Sequence, residues 1–180
     1  MRYETEFHLV SAILKKTHTV AVLIGGFAVN YYNVSRQTAD IDFLTTENDF
    51  KGVLVLLEKE GYKEDNRQKL FSRLKSVKHY ILDIDFMFVD KNTLDKVIKD
   101  AKEITIASQK FLIPSLLHLI ALKLHSIKNN PSQREHKDLM DIIDLVKYNN
   151  VDIKSKEFKS ISQKYGTEDI YNKILLARRL

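Results

Sequence analysis

The chain has 180 residues, of which 44% are hydrophobic and 29% charged, and it contains no cysteine. This composition is typical of an ordinary globular protein, and it excludes a disordered chain, a disulfide scaffold and a thiolate metal site. The formal net charge is +5 at pH 7. A modest positive field of this kind favours an anionic partner such as a nucleotide or a nucleic acid.

We expect no membrane association and a cytoplasmic location. The longest apolar run, FLIPSLLHLIALKL, is interrupted by Pro114, His118 and Lys123. It therefore falls short of the roughly 20 apolar residues that a membrane span requires. The N-terminal stretch MRYETEFHLV carries acidic residues where a signal peptide would need a basic start and a long apolar run.

Strands and helices alternate in the first part of the chain, and only helices follow. Apolar periodicity predicts helices at 4–17, 27–33, 47–60 and 92–101, and strands at 20–24, 40–44, 68–74, 78–89 and 103–113. After Pro114, which suits a helix start, helices are predicted at 115–128, 133–149, 154–164 and 168–180. We therefore expect an α/β core over 1–112 and a helical region over 113–180.

Gly25 and Gly26 directly follow the buried strand candidate VAVLI. Adjacent glycines allow a tight turn, and they can present backbone amides to an anion where the next helix begins. Judged alone, the pair is explained more simply by a tight turn that binds no ligand.

Asp40 and Asp42 share one face of the strand candidate DIDFL. Two such carboxylates lie about 7 Å apart and repel each other by roughly 2 kcal/mol at an effective dielectric of 20. A bound hard cation such as Mg²⁺ would turn this repulsion into attraction. The alternative is a solvent-facing strand edge that binds nothing.

A second acidic pair, Asp83 and Asp85, lies within the otherwise apolar run KHYILDIDFMFV. Unpaired carboxylates are costly to bury, so these two call for a specific partner. If this strand neighbours the first, three carboxylates can converge on one or two divalent ions. Such a site performs two-metal phosphoryl and nucleotidyl transfer.

The helical region contains two further unusual positions. Lys123 falls on the apolar stripe of SLLHLIALKLHSI, where a lysine either extends to the surface or points at an anion. In REHKDLMDIIDLVKY the core stripe is expected to comprise Leu139, Ile142, Ile143 and Val146. Asp138 lies at its margin and Asp141 farther toward the polar side. Judged in isolation, Asp138 is explained slightly better by a structural partner, such as an arginine or a helix end, than by catalysis.

These motifs together resemble the polymerase-β-like nucleotidyltransferase superfamily. Its pattern is Gly-Gly or Gly-Ser, a spacer, Asp-hydrophobic-Asp and a third carboxylate on a later strand. The strings GGFAV, RQTADIDF, IPSLLHLIALKLHS and HKDLMDIIDL are similar to the abortive-infection (AbiEii-type) nucleotidyltransferases, some of which are toxins of toxin–antitoxin pairs. The likeness covers about residues 20–146. It implies an α/β (α+β) fold, with a mixed sheet flanked by helices and followed by a C-terminal helical bundle.

The resemblance also implies roles for single residues. Gly25 and Gly26 would cradle the triphosphate, and Arg36 and Thr38 would line the same loop. The metal ligands would be Asp40, Asp42 and a third carboxylate, for which Asp85 is preferred and Asp83 stays open. Lys123 and Asp138 match a helical lysine and a later aspartate that complete the site in the toxin branch.

Four functions are open at this point. The leading one is Mg²⁺- or Mn²⁺-dependent transfer of a nucleoside monophosphate from an NTP to a hydroxyl acceptor. A tRNA or another RNA acceptor would suit the basic charge, and the toxin branch implies a cognate antitoxin as a further partner. The alternatives are an antibiotic nucleotidyltransferase, a protein of this fold that binds nucleotide or a partner without catalysis, and a plain RNA-binding module.

Overall fold

A computed structural model describes residues 3–77 and 82–177 of the chain. The helices are α1 (Glu6–Lys16), α2 (Gly25–Tyr31), α3 (Glu47–Lys59), α4 (Lys91–Lys99), α5 (Leu116–Asn129), α6 (Pro131–Tyr148), α7 (Lys156–Tyr165) and α8 (Glu168–Ala177). The strands are β1 (Val22–Leu23), β2 (Asp40–Thr45), β3 (Tyr62–Gln68), β4 (Phe71–Ser76), β5 (Asp83–Phe88), β6 (Lys102–Ile106) and β7 (Gln109–Ile113). None of the helices in these ranges is long and apolar enough to cross a lipid bilayer.

The strands form one mixed sheet in the order β3-β4-β5-β2-β1-β7-β6. The β2–β5 and β1–β7 pairs are parallel, and the remaining neighbours are antiparallel. A mixed sheet with flanking helices confirms the predicted fold class. The acidic strands β2 and β5 are direct neighbours, as the predicted convergence of their aspartates requires.

One face of the sheet forms an aromatic core. Phe43 on β2 stacks on Phe86 on β5, with ring centroids 5.5 Å apart, and both side chains are fully buried. Phe50 of α3 contacts Phe86 at 4.8 Å, and Phe7 of α1 contacts Phe111 of β7 at 5.7 Å. Since successive side chains of a strand point to opposite faces, the alternate residues of β2 and β5 are directed away from this core. Those residues include the aspartates.

Two parts of the sheet differ from the prediction. The sequence predicts one strand at 68–74, but the chain forms a hairpin whose first strand, β3, spans Tyr62–Gln68. Only Tyr62 of β3 is buried, so an edge strand of this kind carries no apolar alternation. The predicted strand 103–113 is also a hairpin, which turns at Ala107 and Ser108, both with positive φ. The predicted strand 78–89 has its positions 78–81 outside the described residues.

The chain divides into two compact units. The sheet unit comprises Met1–Phe27 and Gln37–Pro114, and the helical unit comprises Ala28–Arg36 and Ser115–Leu180. Residues 28–36 lie within the range expected for the α/β core, yet their contacts group them with the helices. Asn149, the residue directly after α6, contributes to this grouping, because its side-chain amide donates a 2.7 Å hydrogen bond to the carbonyl of Tyr32.

Candidate active site

Three aspartates converge on the face of the sheet opposite the aromatic core. In the parallel pairing of β2 and β5, Asp40 lies beside Asp83 and Asp42 lies beside Asp85. One carboxylate oxygen from each of Asp40, Asp42 and Asp85 lies within 4.8 Å of the other two. The pairing of the strands therefore brings together three of the four candidate metal ligands.

Asp83 is the fourth candidate, and it is not part of this group. It is half-buried at the beginning of β5, whereas Asp85 is only 2% exposed. A carboxylate that is so deeply buried needs a charged or hydrogen-bonding partner, because desolvation of its charge is costly. Burial and distance thus favour Asp85 over Asp83 as the third carboxylate.

The backbone around the aspartates holds them in place. The Thr38 hydroxyl donates a 2.8 Å hydrogen bond to Oδ1 of Asp40. Gly25, with φ at +64°, lies so close to Asp42 that a Cβ on it would come within 2.5 Å of the carboxylate carbon. A glycine is therefore required here both by the backbone conformation and by the side chain of Asp42. Gly26 is buried immediately after it, in the first turn of α2.

Arg73 on β4 completes a row across three strands. It is paired in register with Asp85, so both side chains lie on the same face of the sheet. Its Nε and Nη2 atoms donate hydrogen bonds of 2.8 and 2.5 Å to the two carboxylate oxygens of Asp85. Nη2 also lies 3.8 Å from Oδ2 of Asp40. The hydrogen bonds that Arg73 donates to Asp85 raise the pKa of the guanidinium above its ordinary value, so it stays charged.

We call Asp40, Asp42, Asp85 and Arg73 the carboxylate cluster. Its three carboxylates and one guanidinium carry a formal charge of −2 at neutral pH. The donor atoms are all carboxylate oxygens, the ligands that hard divalent ions such as Mg²⁺ and Mn²⁺ prefer. Both the excess negative charge and the donor set fit one such ion, which would reduce the repulsion among the acids.

A second group of charges lies in the helical unit. Nζ of Lys123 on α5 binds Oδ1 of Asp138 at 3.0 Å and Oδ2 of Asp141 at 2.5 Å, both on α6. Nε of Arg36 lies 3.4 Å from Oδ1 of Asp141. The four side chains are between 7% and 14% exposed. We call them the helical charge cluster, and its two cations and two anions are formally neutral together.

The expected position of Asp141 on α6 is wrong. The buried stripe of α6 consists of Asp138, Asp141, Ile142, Leu145 and Val146. The predicted stripe comprised Leu139, Ile142, Ile143 and Val146. The stripe is thus displaced by one residue, and Asp141 is buried rather than polar-facing. The physical reason is Lys123, because a buried ammonium requires acceptors and both aspartates turn inward to supply them.

Sequence reasoning missed two residues of these clusters. Arg73 was not singled out, although it shares one face of the strand FSRLKS with Phe71 and Lys75, in alternation with the buried Ser72 and Leu74. That alternation was the available signal, but only the pairing of β4 with β5 connects it to Asp85. Asp141 was missed because the stripe of an isolated helix cannot show which positions a lysine on another helix will attract.

Comparison with known proteins agrees with this fold. A family model described as an uncharacterised nucleotidyltransferase matches residues 19–180. The structure of ANT(2")-Ia in complex with adenylyl-2"-tobramycin is similar with a TM-score of 0.56 at 12% identity, covering 96% of this chain and 94% of that one. None of the curated proteins matches the sequence.

Two further solved structures are similar. An antigenic nucleotidyltransferase-like protein from Paracoccidioides brasiliensis has a TM-score of 0.53 at 16% identity, covering 95% of this chain and 92% of that one. The lincomycin-bound lincosamide antibiotic adenylyltransferase LnuA has a TM-score of 0.52 at 16% identity, covering 74% of this chain and 90% of that one. At such identities these likenesses establish a shared fold.

Proposed function

The chain belongs to the uncharacterised nucleotidyltransferase family, and we propose that it transfers a nucleoside monophosphate from an NTP to a hydroxyl acceptor with Mg²⁺ or Mn²⁺ as its metal. In this reaction the acceptor oxygen forms a bond to the α-phosphorus, and the bond from that phosphorus to the bridging oxygen of pyrophosphate breaks. The acceptor proton passes to a base. Family membership makes the chain a transferase, and the metal, the acceptor and the residue roles are the proposal.

The observation that carries this proposal is the convergence of Asp40, Asp42 and Asp85 within 4.8 Å of one another. A group with a formal charge of −2 and oxygen donors only is suited to a divalent cation. When bound, such an ion supplies the positive charge that stabilises the triphosphate and the leaving pyrophosphate. The carboxylate nearest the acceptor hydroxyl would receive its proton.

Further residues enter the proposal on the family resemblance. Gly25 and Gly26 would bind the triphosphate, and Gly25 is already in contact with the side chain of Asp42. Thr38 would keep Asp40 oriented through its 2.8 Å hydrogen bond. Arg36, in the same loop sequence, would take part in nucleotide binding.

Lys123 and Asp138 are proposed as catalytic residues on the resemblance to the toxin branch alone. In the helical unit each is bound to the other at 3.0 Å. A lysine that binds two carboxylates is well held but already neutralised by them. A catalytic role therefore requires that the ammonium of Lys123 also reaches the nucleotide. A Lys123→Arg variant that retains its stability but loses transfer would support this role.

We propose an RNA, and tRNA in particular, as the acceptor. The net charge of +5 attracts polyanions, and about 15 basic residues lie between Lys63 and Lys137. A second candidate is an antibiotic hydroxyl, since ANT(2")-Ia and LnuA share the fold over most of their lengths. A polycationic antibiotic would gain less from the overall charge of this chain than an RNA would.

The proposal is tested by nucleotide transfer. Purified protein is incubated with Mg²⁺, each α-labelled NTP in turn, and either total tRNA or a panel of aminoglycosides and lincosamides. We expect label on the RNA, and a loss on the order of a thousandfold in Asp40→Asn and in Asp42→Asn. Labelled antibiotic instead of RNA would favour the second candidate.

A matched control is Asp65→Asn, since Asp65 is an exposed strand aspartate paired with Lys75. It should retain full transfer, because it lies on β3 and outside the carboxylate cluster. Transfer that survives in both Asp40→Asn and Asp42→Asn would disprove the assigned site. Tight NTP binding without label on any acceptor would favour a protein that binds nucleotide without catalysis.

A toxin-like role with a cognate antitoxin is proposed on the AbiEii-type resemblance. Induced expression of the wild-type chain should then arrest growth, and Asp42→Asn should relieve the arrest at equal protein level. Co-expression of a neighbouring gene that restores growth and co-purifies with the chain would identify the antitoxin. Normal growth during wild-type expression would contradict this role and leave the transfer reaction unaffected.

A further inference from the structure

Arg73 is bound where the proposed metal ligands converge. We propose that Arg73 is an internal cation that holds Asp85 and Asp40 in the metal-free protein and is displaced from them when a divalent ion binds. Arg73 is in this sense a positioning residue, acting through the carboxylates. The inference rests on the proposed metal function of the carboxylate cluster and adds a residue that competes with the metal.

The contacts of Asp85 provide the first argument. Both of its carboxylate oxygens accept hydrogen bonds from Arg73, at 2.8 and 2.5 Å. A paired arrangement of this kind is the strongest that a guanidinium makes with a carboxylate. An ion that takes Asp85 as a ligand would therefore share that carboxylate with a second positive charge, and the two cations would repel each other.

The reach of Arg73 to Asp40 provides the second argument. Nη2 lies 3.8 Å from Oδ2 of Asp40, so the guanidinium lies near two of the three candidate ligands on separate strands. Without it, Asp85, which is 2% exposed, would lose the cation that binds both of its carboxylate oxygens. The metal-free protein thus depends on Arg73 for a charge that a bound ion would supply instead.

The surroundings of Arg73 allow it to move. Its side chain is 36% exposed, in contrast to the 2% exposure of Asp85. The ring of Phe71, two residues before it on β4, has its centroid 5.8 Å from the guanidinium carbon. A guanidinium released from Asp85 would therefore have both solvent and an aromatic face available. β4 is held on both sides by β3 and β5, so only the side chain needs to change position.

This arrangement predicts opposite effects on stability and on metal affinity. Removal of the Arg73 charge should destabilise the metal-free protein, because Asp85 loses its partner. The same change should strengthen metal binding, because the competing cation is gone. A purely structural arginine would lower stability without any gain in metal affinity.

The test measures Mn²⁺ binding in the absence of nucleotide. Free Mn²⁺ is followed by electron paramagnetic resonance during titration of wild type, Arg73→Gln and Arg73→Lys, and the melting temperature of each is recorded with and without Mn²⁺. We expect Arg73→Gln to bind Mn²⁺ about tenfold more tightly than wild type. Its melting temperature should be lower without Mn²⁺ and should rise more than that of wild type on Mn²⁺ addition.

Two further variants keep the result unambiguous. Arg73→Lys retains the charge but not the paired hydrogen bonds, so it should fold and bind Mn²⁺ about threefold more tightly than wild type. Arg67→Gln removes an arginine of the neighbouring strand β3 that pairs with Glu47 and Glu64. Its Mn²⁺ affinity should equal that of wild type.

The Mn²⁺ titrations distinguish failure of the proposed competition from failure of the proposed metal site. Equal or weaker Mn²⁺ binding by Arg73→Gln and Arg73→Lys, with clear binding by wild type, would overturn the proposed competition and leave the metal site in place. An absence of Mn²⁺ binding in wild type and in both variants would overturn the proposed metal function and this inference with it. Asp42→Asn distinguishes specific from surface binding, because it should lose the high-affinity site in every background.

Discussion

The carboxylate cluster of the sheet unit and the helical charge cluster both place aspartates out of solvent, but their charges balance differently. Asp138 and Asp141 face two cations, Lys123 and Arg36, and the group is formally neutral. In the carboxylate cluster, Arg73 binds Asp85 and lies near Asp40, and the three aspartates and the guanidinium together carry a formal charge of −2. The helical charge cluster is neutral as a group, whereas the carboxylate cluster has a net negative charge that a divalent cation would reduce.

The difference shows which property of a buried acid points to a ligand. Burial alone does not, because Asp138 and Asp141 are also buried, at 5% and 6% exposure against 2% for Asp85, and each has a cation of this chain beside it. A more informative quantity is the net formal charge of the group of side chains that lie together. The following substitutions test this distinction, beginning with the largest expected effect.

Lys123→Met should cause the largest loss of stability. It leaves Asp138 without its cation and Asp141 with Arg36 alone, and breaking a buried pair in this way costs about 3–5 kcal/mol. The free energy of unfolding from urea titration measures the loss. Lys128→Met, an exposed lysine of the same helix, is the matched control and should change stability by less than about 0.5 kcal/mol. Similar values for the two variants would refute the structural account of Lys123.

Gly25→Ala should destabilise the sheet unit by about 2–4 kcal/mol. An alanine is strained in the left-handed backbone conformation of this position, and its Cβ would clash with the side chain of Asp42. The same variant should lose Mn²⁺ binding, because Asp42 must shift. Gly52→Ala serves as control, because its Cβ would meet only the methyl group of Thr17 at 3.5 Å. A glycine inside a helix is unfavourable, so this control should gain about 0.5–1 kcal/mol. A stable, metal-binding Gly25→Ala would show that the backbone does not position Asp42.

Arg36→Gln should cost about 1–2 kcal/mol of unfolding free energy. Its ion pair with Asp141 is 3.4 Å long, and Lys123 still neutralises that carboxylate after the change. Urea titration measures the effect, and Lys123→Met combined with Arg36→Gln should cost more than the sum of the two single variants. Strict additivity would mean that the helical charge cluster does not behave as one group.

Asp40→Asn should have the smallest effect on stability and the opposite sign. It removes one of three repelling charges and retains an acceptor oxygen for Thr38, so the metal-free protein should be unchanged or gain up to about 1 kcal/mol. The corresponding variant in the other cluster, Asp138→Asn, should lose about 1–3 kcal/mol, since the buried ammonium of Lys123 exchanges a charged acceptor for a neutral one. The stabilities of Asp40→Asn and Asp138→Asn are compared with that of wild type by thermal unfolding without metal. Equal losses would remove the distinction between the two clusters.

Much of the fold could be predicted from local patterns. The apolar face of α3 and the alternation of β2 were clear, and both elements lie within two residues of the expected bounds. β3 could not be predicted, because six of its seven residues are exposed and no apolar pattern marks an edge strand. The β6–β7 hairpin turns at Ala107 and Ser108 in left-handed conformations that these residue types do not signal.

The candidate site was predictable in part. Asp40, Asp42 and Asp85 were named from their strands, and their convergence needed only the adjacency of β2 and β5. Arg73 and Asp141 could not be named, because each is defined by a partner on another element. A periodic pattern states which face of an element a residue occupies, but it does not state what lies opposite that face.

The sequence by itself determined the chemistry that is available: which positions carry charge, which faces are apolar, and that a family pattern of glycines and aspartates is present. Tertiary structure alone decided the pairing of those charges. The register of β4, β5 and β2 places Arg73 beside Asp85, and the packing of α5 on α6 places Lys123 between two aspartates. The reason is physical, since electrostatic and desolvation energies depend on distances between elements that the local periods of helices and strands leave open.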